Sequence, residues 1–231
     1  MIVERGVAWA ADGQSCAMFA ADIADFTRQD RDEETQSHLR HALYGAIREA
    51  LTGSGIAWEE CVQRDRGDGA LVILPPGMSP HLIIAPFPER LRYLIGRYNR
   101  FATPPARLQV RAALNIGPVY RDENGYSGED INLVCQMLDI QPLRRLLRNT
   151  DTDLALTISA RVHDTIVLRH PRLADPASFR RVRTRVKRTR IDAWIHEPGS
   201  PPLAFPARSA NSQHSAFTSR IVNLTSRLQG R

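Results

Sequence analysis

Residues 16–27 read Cys16-Ala17-Met18-Phe19-Ala20-Ala21-Asp22-Ile23-Ala24-Asp25-Phe26-Thr27. From Cys16 to Ile23 this is an apolar run ending in acid, the pattern of a buried strand that delivers Asp22 at its carboxyl end. Downstream, Leu39, Leu43, Ala46, Ile47, Ala50 and Leu51 recur at three- and four-residue intervals. That spacing predicts an amphipathic helix of about five turns, closed by Gly53 and Gly55. Two short strand-like runs follow, Trp58 to Gln63 and Ala70 to Leu74, separated by Arg64-Asp65-Arg66-Gly67-Asp68-Gly69. A turn so rich in Asp and Gly predicts a hairpin with acid at its tip.

Further along, Pro75 and Pro76 end the second strand, and Glu89 to Phe101 sets Leu91, Leu94, Ile95 and Tyr98 on one helical face. Arg107 to Ile116 alternates as a half-buried strand, and Gly117 to Val119 reads as a turn. Glu129 to Leu147 predicts a third helix, bent or interrupted at Pro142. Leu154 to Ile158 is a strand, Ser159 a cap for a short helix to Leu168, and Phe179 to Lys187 and Arg190 to His196 are two last strands. The order strand, helix, strand, strand, helix, strand is a split β-α-β arrangement. The fold class expected is α+β: a ferredoxin-like βαββαβ core with an additional αβ unit and a closing hairpin. After His196 the composition shifts to Pro, Ser and Ala, so 1–197 reads as one domain and 198–231 as a linker. Within it, Phe217, Ile221, Leu224 and Leu228 share a helical face in a short amphipathic segment, readable equally as a docking helix and as a frayed end.

Composition sets the outer bounds. The 231 residues are 42% apolar and 24% charged, with 14 Gly and 15 Pro, which excludes a disordered, collagen-like or repeat chain. No stretch approaches the roughly 20 continuous apolar residues of a membrane span, and the start lacks a signal-peptide core, so a cytoplasmic protein is expected. Cys16, Cys61 and Cys135 are odd in number and widely spaced, which suggests buried thiols and no disulfide framework or zinc site. The net charge of +6 suits a polyanionic partner, nucleic acid or nucleotide alike. Lys187 is the only lysine.

Asp22 at a strand end and Asp68 at a hairpin tip converge in this topology, since the hairpin lies beside the first strand. Paired carboxylates with few other ligands suit Mg²⁺ or Mn²⁺, which keep waters and take further ligands from nucleotide phosphates. The Ile23 carbonyl is a candidate third ligand. On spacing alone, an Asp in a tight Asp-Gly turn is in most proteins a plain turn former.

The stretch from Phe19 to Thr27 resembles the first metal motif of class III nucleotidyl cyclases, F-x-D-I-x-G-F-T. Arg64 to Asp68 resembles their second, K-x-x-G-D; Gly128 to Leu133 resembles the third, G-x-x-V-N-x-A-x-R; and Val182 to Trp194 resembles the closing hairpin that carries a lysine. The matches run in the family's order over roughly residues 15–197. The resemblance implies the class III cyclase fold and a head-to-tail homodimer with composite active sites. Two divalent cations, Mg or Mn, would be held by Asp22, Ile23 and Asp68. Asn132 from the other chain would orient the ribose, and Lys187 would meet the phosphates. The 3′-oxygen then attacks the α-phosphorus of a nucleoside triphosphate and expels pyrophosphate.

Departures from the pattern carry their own readings. Gln136 stands where the family places its transition-state arginine, and Arg64 replaces the lysine that reads the purine edge. Arg144 and Arg145 lie two turns beyond Gln136. Gly125 replaces a base-reading acid, with Tyr126 beside it, so the usual purine selectivity is not encoded and a pyrimidine nucleotide, giving cCMP or cUMP, is a live reading. Asp25 replaces the family's glycine and reads as a solvent-facing polar residue. The stand-alone layout is similar to antiphage cyclases, which implies a separate effector that binds the product. A pseudo-cyclase that binds nucleotide or a partner without turnover is the alternative. Direct nucleic-acid binding along Arg181, Arg183, Arg185 and Lys187 is disfavoured, because few aromatics accompany them. His163, His170 and His196 show no ligand spacing and read as core or surface histidines.

Overall fold

Strand β1 (Asp12–Ile23) is buried without interruption from Cys16 to Ala21, which marks it as a strand with helices on both faces. The structure, a computed structural model, describes Trp9 and residues 12–199. β1 lies between β3 (Gly69–Ile73) and β4 (Val110–Asp122), antiparallel to both. β2 (Val62–Asp65) flanks β3, so the order β2-β3-β1-β4 is that of the split β-α-β core. β6 (Leu154–Ser159) joins β4 in parallel, and β8 (Thr189–His196) and β7 (Arg180–Val186) close the edge as a hairpin. β5 (Gly125–Ser127) folds back on the end of β4. The α+β class and the core, extra unit and closing hairpin are as the sequence predicts.

Alternation along β1 sends side chains to two cores. Phe19 and Ile23 face α1 (Glu33–Gly53) and α2 (Phe87–Asn99), packing with Leu39, Leu43, Ile47, Leu91 and Ile95. Met18 and Ala20 face α3 (Glu129–Met137) and α4 (Gln141–Asn149), packing with Val134, Met137, Leu143 and Leu147. Helix α1 starts at Asp32, whose carboxylate accepts from the Thr35 amide at 2.8 Å. Ser159 accepts from the Val162 amide and opens α5 (Ala160–Val162), which continues as a single π turn over His163–Val167.

Three expectations are corrected. Trp58 to Glu60 is a 3₁₀ turn, and the strand begins only at Val62. Gly117 to Val119 lies inside β4, because β1 starts at Asp12 and pairs Cys16 with Gly117 and Ser15 with Pro118. Pro118 is tolerated there since β6 leaves the ladder at Leu114. The helix expected over 129–147 is two helices: Leu138 to Ile140 breaks it and Pro142 enters the first turn of α4, where its missing N–H costs nothing.

Cys16 and Cys61 are buried thiols, pushed up to about 11 and about 12 by desolvation, while Cys135 is half-buried. His163 stacks on Trp194 at 3.5 Å and His196 on Phe179 at 4.6 Å, so both fill packing roles. No helix among the described residues is long and apolar enough to cross a membrane. The expected linker and the segment carrying Phe217 to Leu228 lie outside the described residues, apart from Pro198 and Gly199.

Candidate active site

Asp22 is the penultimate residue of β1, and its register partners are Gly69 on one side and Arg111 on the other. Across the β1–β3 edge the Ile23 amide donates to the Asp68 carbonyl at 2.9 Å, which sets the hairpin tip beside Asp22. Gly69 makes this approach possible. A Cβ there would lie 2.0 Å from the Ala21 carbonyl oxygen and 2.8 Å from the Asp22 Cα, so only glycine fits.

The hairpin is fixed from the opposite face of the sheet by Asp65. Its carboxylate accepts from Arg40 at 2.7 Å, from the Tyr44 hydroxyl at 3.4 Å and from the Gly67 amide at 2.9 Å. The loop after β1 is fixed by Arg31, which is 6% exposed. Its guanidinium donates to the carbonyls of Ala24, Asp25, Pro105 and Arg107 at 2.8–3.1 Å. Asp25 takes the left-handed backbone, φ 50°, that the tight turn demands, and its side chain is 59% exposed as expected of a solvent-facing residue.

Around Asp22 the electrostatics are those of a crowded acid. Arg111 Nε donates to its Oδ1 at 2.8 Å, with the two side chains only 11% and 14% exposed. Burial pushes the Asp22 carboxyl up to about 6; Arg111 opposes this, and the carboxylates of Asp68 and Asp139 add to it. A buried carboxyl pushed toward its neutral form beside a second acid is relieved by a divalent cation. Asp22, Asp68 and the Ile23 carbonyl are hard oxygen donors that fit Mg²⁺ or Mn²⁺. Among the described residues no three His, Cys, Asp or Glu side chains gather, so further ligands would come from water and phosphate oxygens.

The other residues predicted for the site divide by position. Arg64 shares a sheet face with Val62 and reaches the β4–β5 turn, where its Nη2 donates to the Asn124 carbonyl at 3.3 Å. A Cβ on Gly125 would collide with this guanidinium, so Arg64 lies directly against Gly125. Tyr126 is 8% exposed, packed on Trp9 at 5.6 Å with the Arg121 guanidinium over its ring. Asn132 is exposed one turn into α3, and Gln136 is half-buried one turn further.

Lys187 stands apart, at the tip of the β7–β8 hairpin with φ 53°. Ala21, Ala112, Leu156 and His196 form one row across the sheet. Nine residues at about 3.3 Å each put Lys187 about 30 Å along the strand direction from that row, at the end opposite Asp22. Sequence reasoning missed Arg31, Asp65 and Arg111. Only Arg111 left a signal, a charge within the alternating strand.

Solved structures with a similar fold include nucleotide cyclase domains. The guanylyl cyclase Cya2 superposes with a TM-score of 0.56 at 16% identity, over 85% of this chain and 98% of its own. The chain has the class III nucleotidyl cyclase fold. An adenylate/guanylate cyclase/hydrolase from Silicibacter pomeroyi gives 0.56 at 20% identity over 82% and 100%. The guanylate cyclase domain of RhGC from Catenaria anguillulae, solved in complex with GTP, gives 0.50 at 15% over 80% and 98%. No family model and no curated protein sequence matches the chain. In this cyclase fold Asp22 and Asp68 share one end of the central strands, and Asn132 and Gln136 lie on the helix over the same face.

Proposed function

We propose that the chain is a nucleotidyl cyclase, which converts a nucleoside triphosphate to a 3′,5′-cyclic nucleotide and pyrophosphate. The observation that carries this reading is the buried Asp22 carboxyl, pushed up to about 6 beside Asp68 and gripped by Arg111. In the reaction the ribose 3′-oxygen bonds to the α-phosphorus, its proton passes to water, and the bond to the pyrophosphate oxygen breaks. Asp22, the Ile23 carbonyl and Asp68 would hold the two divalent cations, whose chemistry when bound would be charge neutralisation at the phosphates and a more acidic 3′-hydroxyl. Arg111, on the strand beside Asp22, is placed to meet phosphate oxygens. Asn132 orients the ribose, and Arg64 with the turn to Tyr126 faces the base.

Lys187 cannot share a site with Asp22 of its own chain across about 30 Å. A head-to-tail homodimer places it, with Asn132, at the partner's Asp22. The replacement of the purine-reading pair by Arg64 and Gly125 favours a pyrimidine base, with a separate effector for cCMP or cUMP in signalling or antiphage defence. The second reading is a pseudo-cyclase that binds nucleotide without turnover, favoured by Gln136 at the arginine position.

The test incubates the protein separately with ATP, GTP, CTP and UTP in Mn²⁺ and Mg²⁺, beside an Asp22→Ala, Asp68→Ala double variant, with products identified by mass spectrometry. A cyclic monophosphate absent from the control establishes the cyclase and its base. No product from any of the four gives the pseudo-cyclase reading.

A further inference from the structure

The break between α3 and α4 has a chemical result. It packs α4 against β4 and β6, beside the loop that follows β1, where Arg144 and Arg148, one turn apart, join Arg111, Ala24 and Asp25 around an open pocket of about 90 Å³. At about 30 Å³ per water, this takes a few waters or one phosphoryl group. Its donors are largely uncommitted. Each guanidinium carries five N–H groups; Arg144 gives one from Nη2 to Asp139 at 2.5 Å, while its Nε is buried with no partner among the described residues. Arg111 gives Nε to Asp22, and Arg148 stands 4.0 Å from Asp25. Arg111 and Arg144 are thus each bonded to an aspartate, Arg148 stands exposed near a third, and all three keep further N–H groups for another acceptor. Gln136, one turn before Asp139, has a buried Oε1 without a partner and can supply no positive charge.

We propose that Arg144 and Arg148 form with Arg111 a pocket for one phosphoryl group of the nucleotide's triphosphate within one chain, and that Arg144 supplies the transition-state charge that Gln136 lacks. This rests on the cyclase reading for its catalytic part. Planar guanidinium forks suit the several oxygens of a polyphosphate better than a carboxylate's two, and Arg111 is the best shielded of the three at 11% exposed, against 38% for Arg144 and 67% for Arg148.

The experiment titrates inorganic tripolyphosphate with Mg²⁺ into the full chain by calorimetry, at low salt. Arg144→Gln and Arg148→Gln are each expected to weaken binding about tenfold. Arg145→Gln, an exposed charge on the same helix, shifts it less than twofold. Arg144→Lys retains charge and recovers part of the affinity, and melting curves show that each variant is folded. Equal effects of the Arg144 and Arg145 variants, or no binding by the wild type, overturn the pocket. Turnover with the preferred nucleotide separates the two claims. In Arg144→Gln kcat falls about a hundredfold or more, whereas in Arg148→Gln KM rises and kcat holds. Tripolyphosphate binding without turnover on any nucleotide removes the cyclase reading and leaves the pocket; turnover undiminished in Arg144→Gln removes the role given to Arg144.

Discussion

Asp22 and Arg111 face each other across two strands, 89 residues apart in the chain. Burial of the Asp22 carboxyl, against the opposing pull of Arg111, sets a pH dependence whose sign follows from the raised value. A carboxyl pushed up to about 6 in the folded chain, from near 4 unfolded, contributes stability that is complete below pH 4 and lost as pH rises through 6. Asp22→Asn removes that loss. In EDTA the variant should melt above the wild type by a margin that widens from pH 5 to pH 8, toward at most about 3 kcal/mol. A margin independent of pH would refute the burden assigned to Asp22. Adding Mn²⁺ at pH 8 should raise the melting temperature of the wild type and leave Asp22→Asn unmoved. Gly69→Ala forces β3 off β1 at Asp22 and should cost about 1–3 kcal/mol, with turnover lost at temperatures where the variant is still folded. At this scale Asp22 and Asp68 were legible, because a strand end and an Asp-Gly turn are local patterns. Arg111 as the partner of Asp22 was not, because register across a sheet is set by the whole ladder.

Elements show the same division. The buried run of β1 and the stripe of α1 announced themselves by periodicity, the hairpin by its Asp and Gly, and the start of α5 by Ser159, whereas nothing in the sequence reading marked the Asp32 cap of α1. The split into α3 and α4 was half-visible: Pro142 marked it, yet the chain breaks before it, at Leu138 to Ile140. The loop after β1 is an element held by a single side chain. Four carbonyls converge on Arg31, and bonds from a charged donor contribute roughly 1.5–3 kcal/mol each when buried. Arg31→Met should therefore lower stability by about 3 kcal/mol or more and speed hydrogen exchange at Ala24 to Arg28 beyond that of α1. Exchange raised equally everywhere would mean that Arg31 supports the whole domain and not that loop.

Across the whole molecule, the residues proposed for one reaction stand at two ends of one sheet. The resemblance in sequence named both ends, and only the ladder from Asp22 to His196 showed how far apart they are. If two copies share their sites head to tail, Asp22→Ala and Asn132→Ala are each inactive alone. Mixed in equal amounts, half the dimers are heterodimers with one intact site of two, so about a quarter of wild-type activity should return on a symmetric dimer. No recovery, with mixed dimers shown to form, would place the whole site within one chain. The distance between Asp22 and Lys187 also bears on when such a protein acts. Below the dissociation constant of the pair, signal output scales with the square of copy number and not in proportion to it. A cell could then keep the enzyme dark simply by keeping it scarce, and a modest rise in expression, or crowding of copies at one place, would switch it on without a dedicated activator.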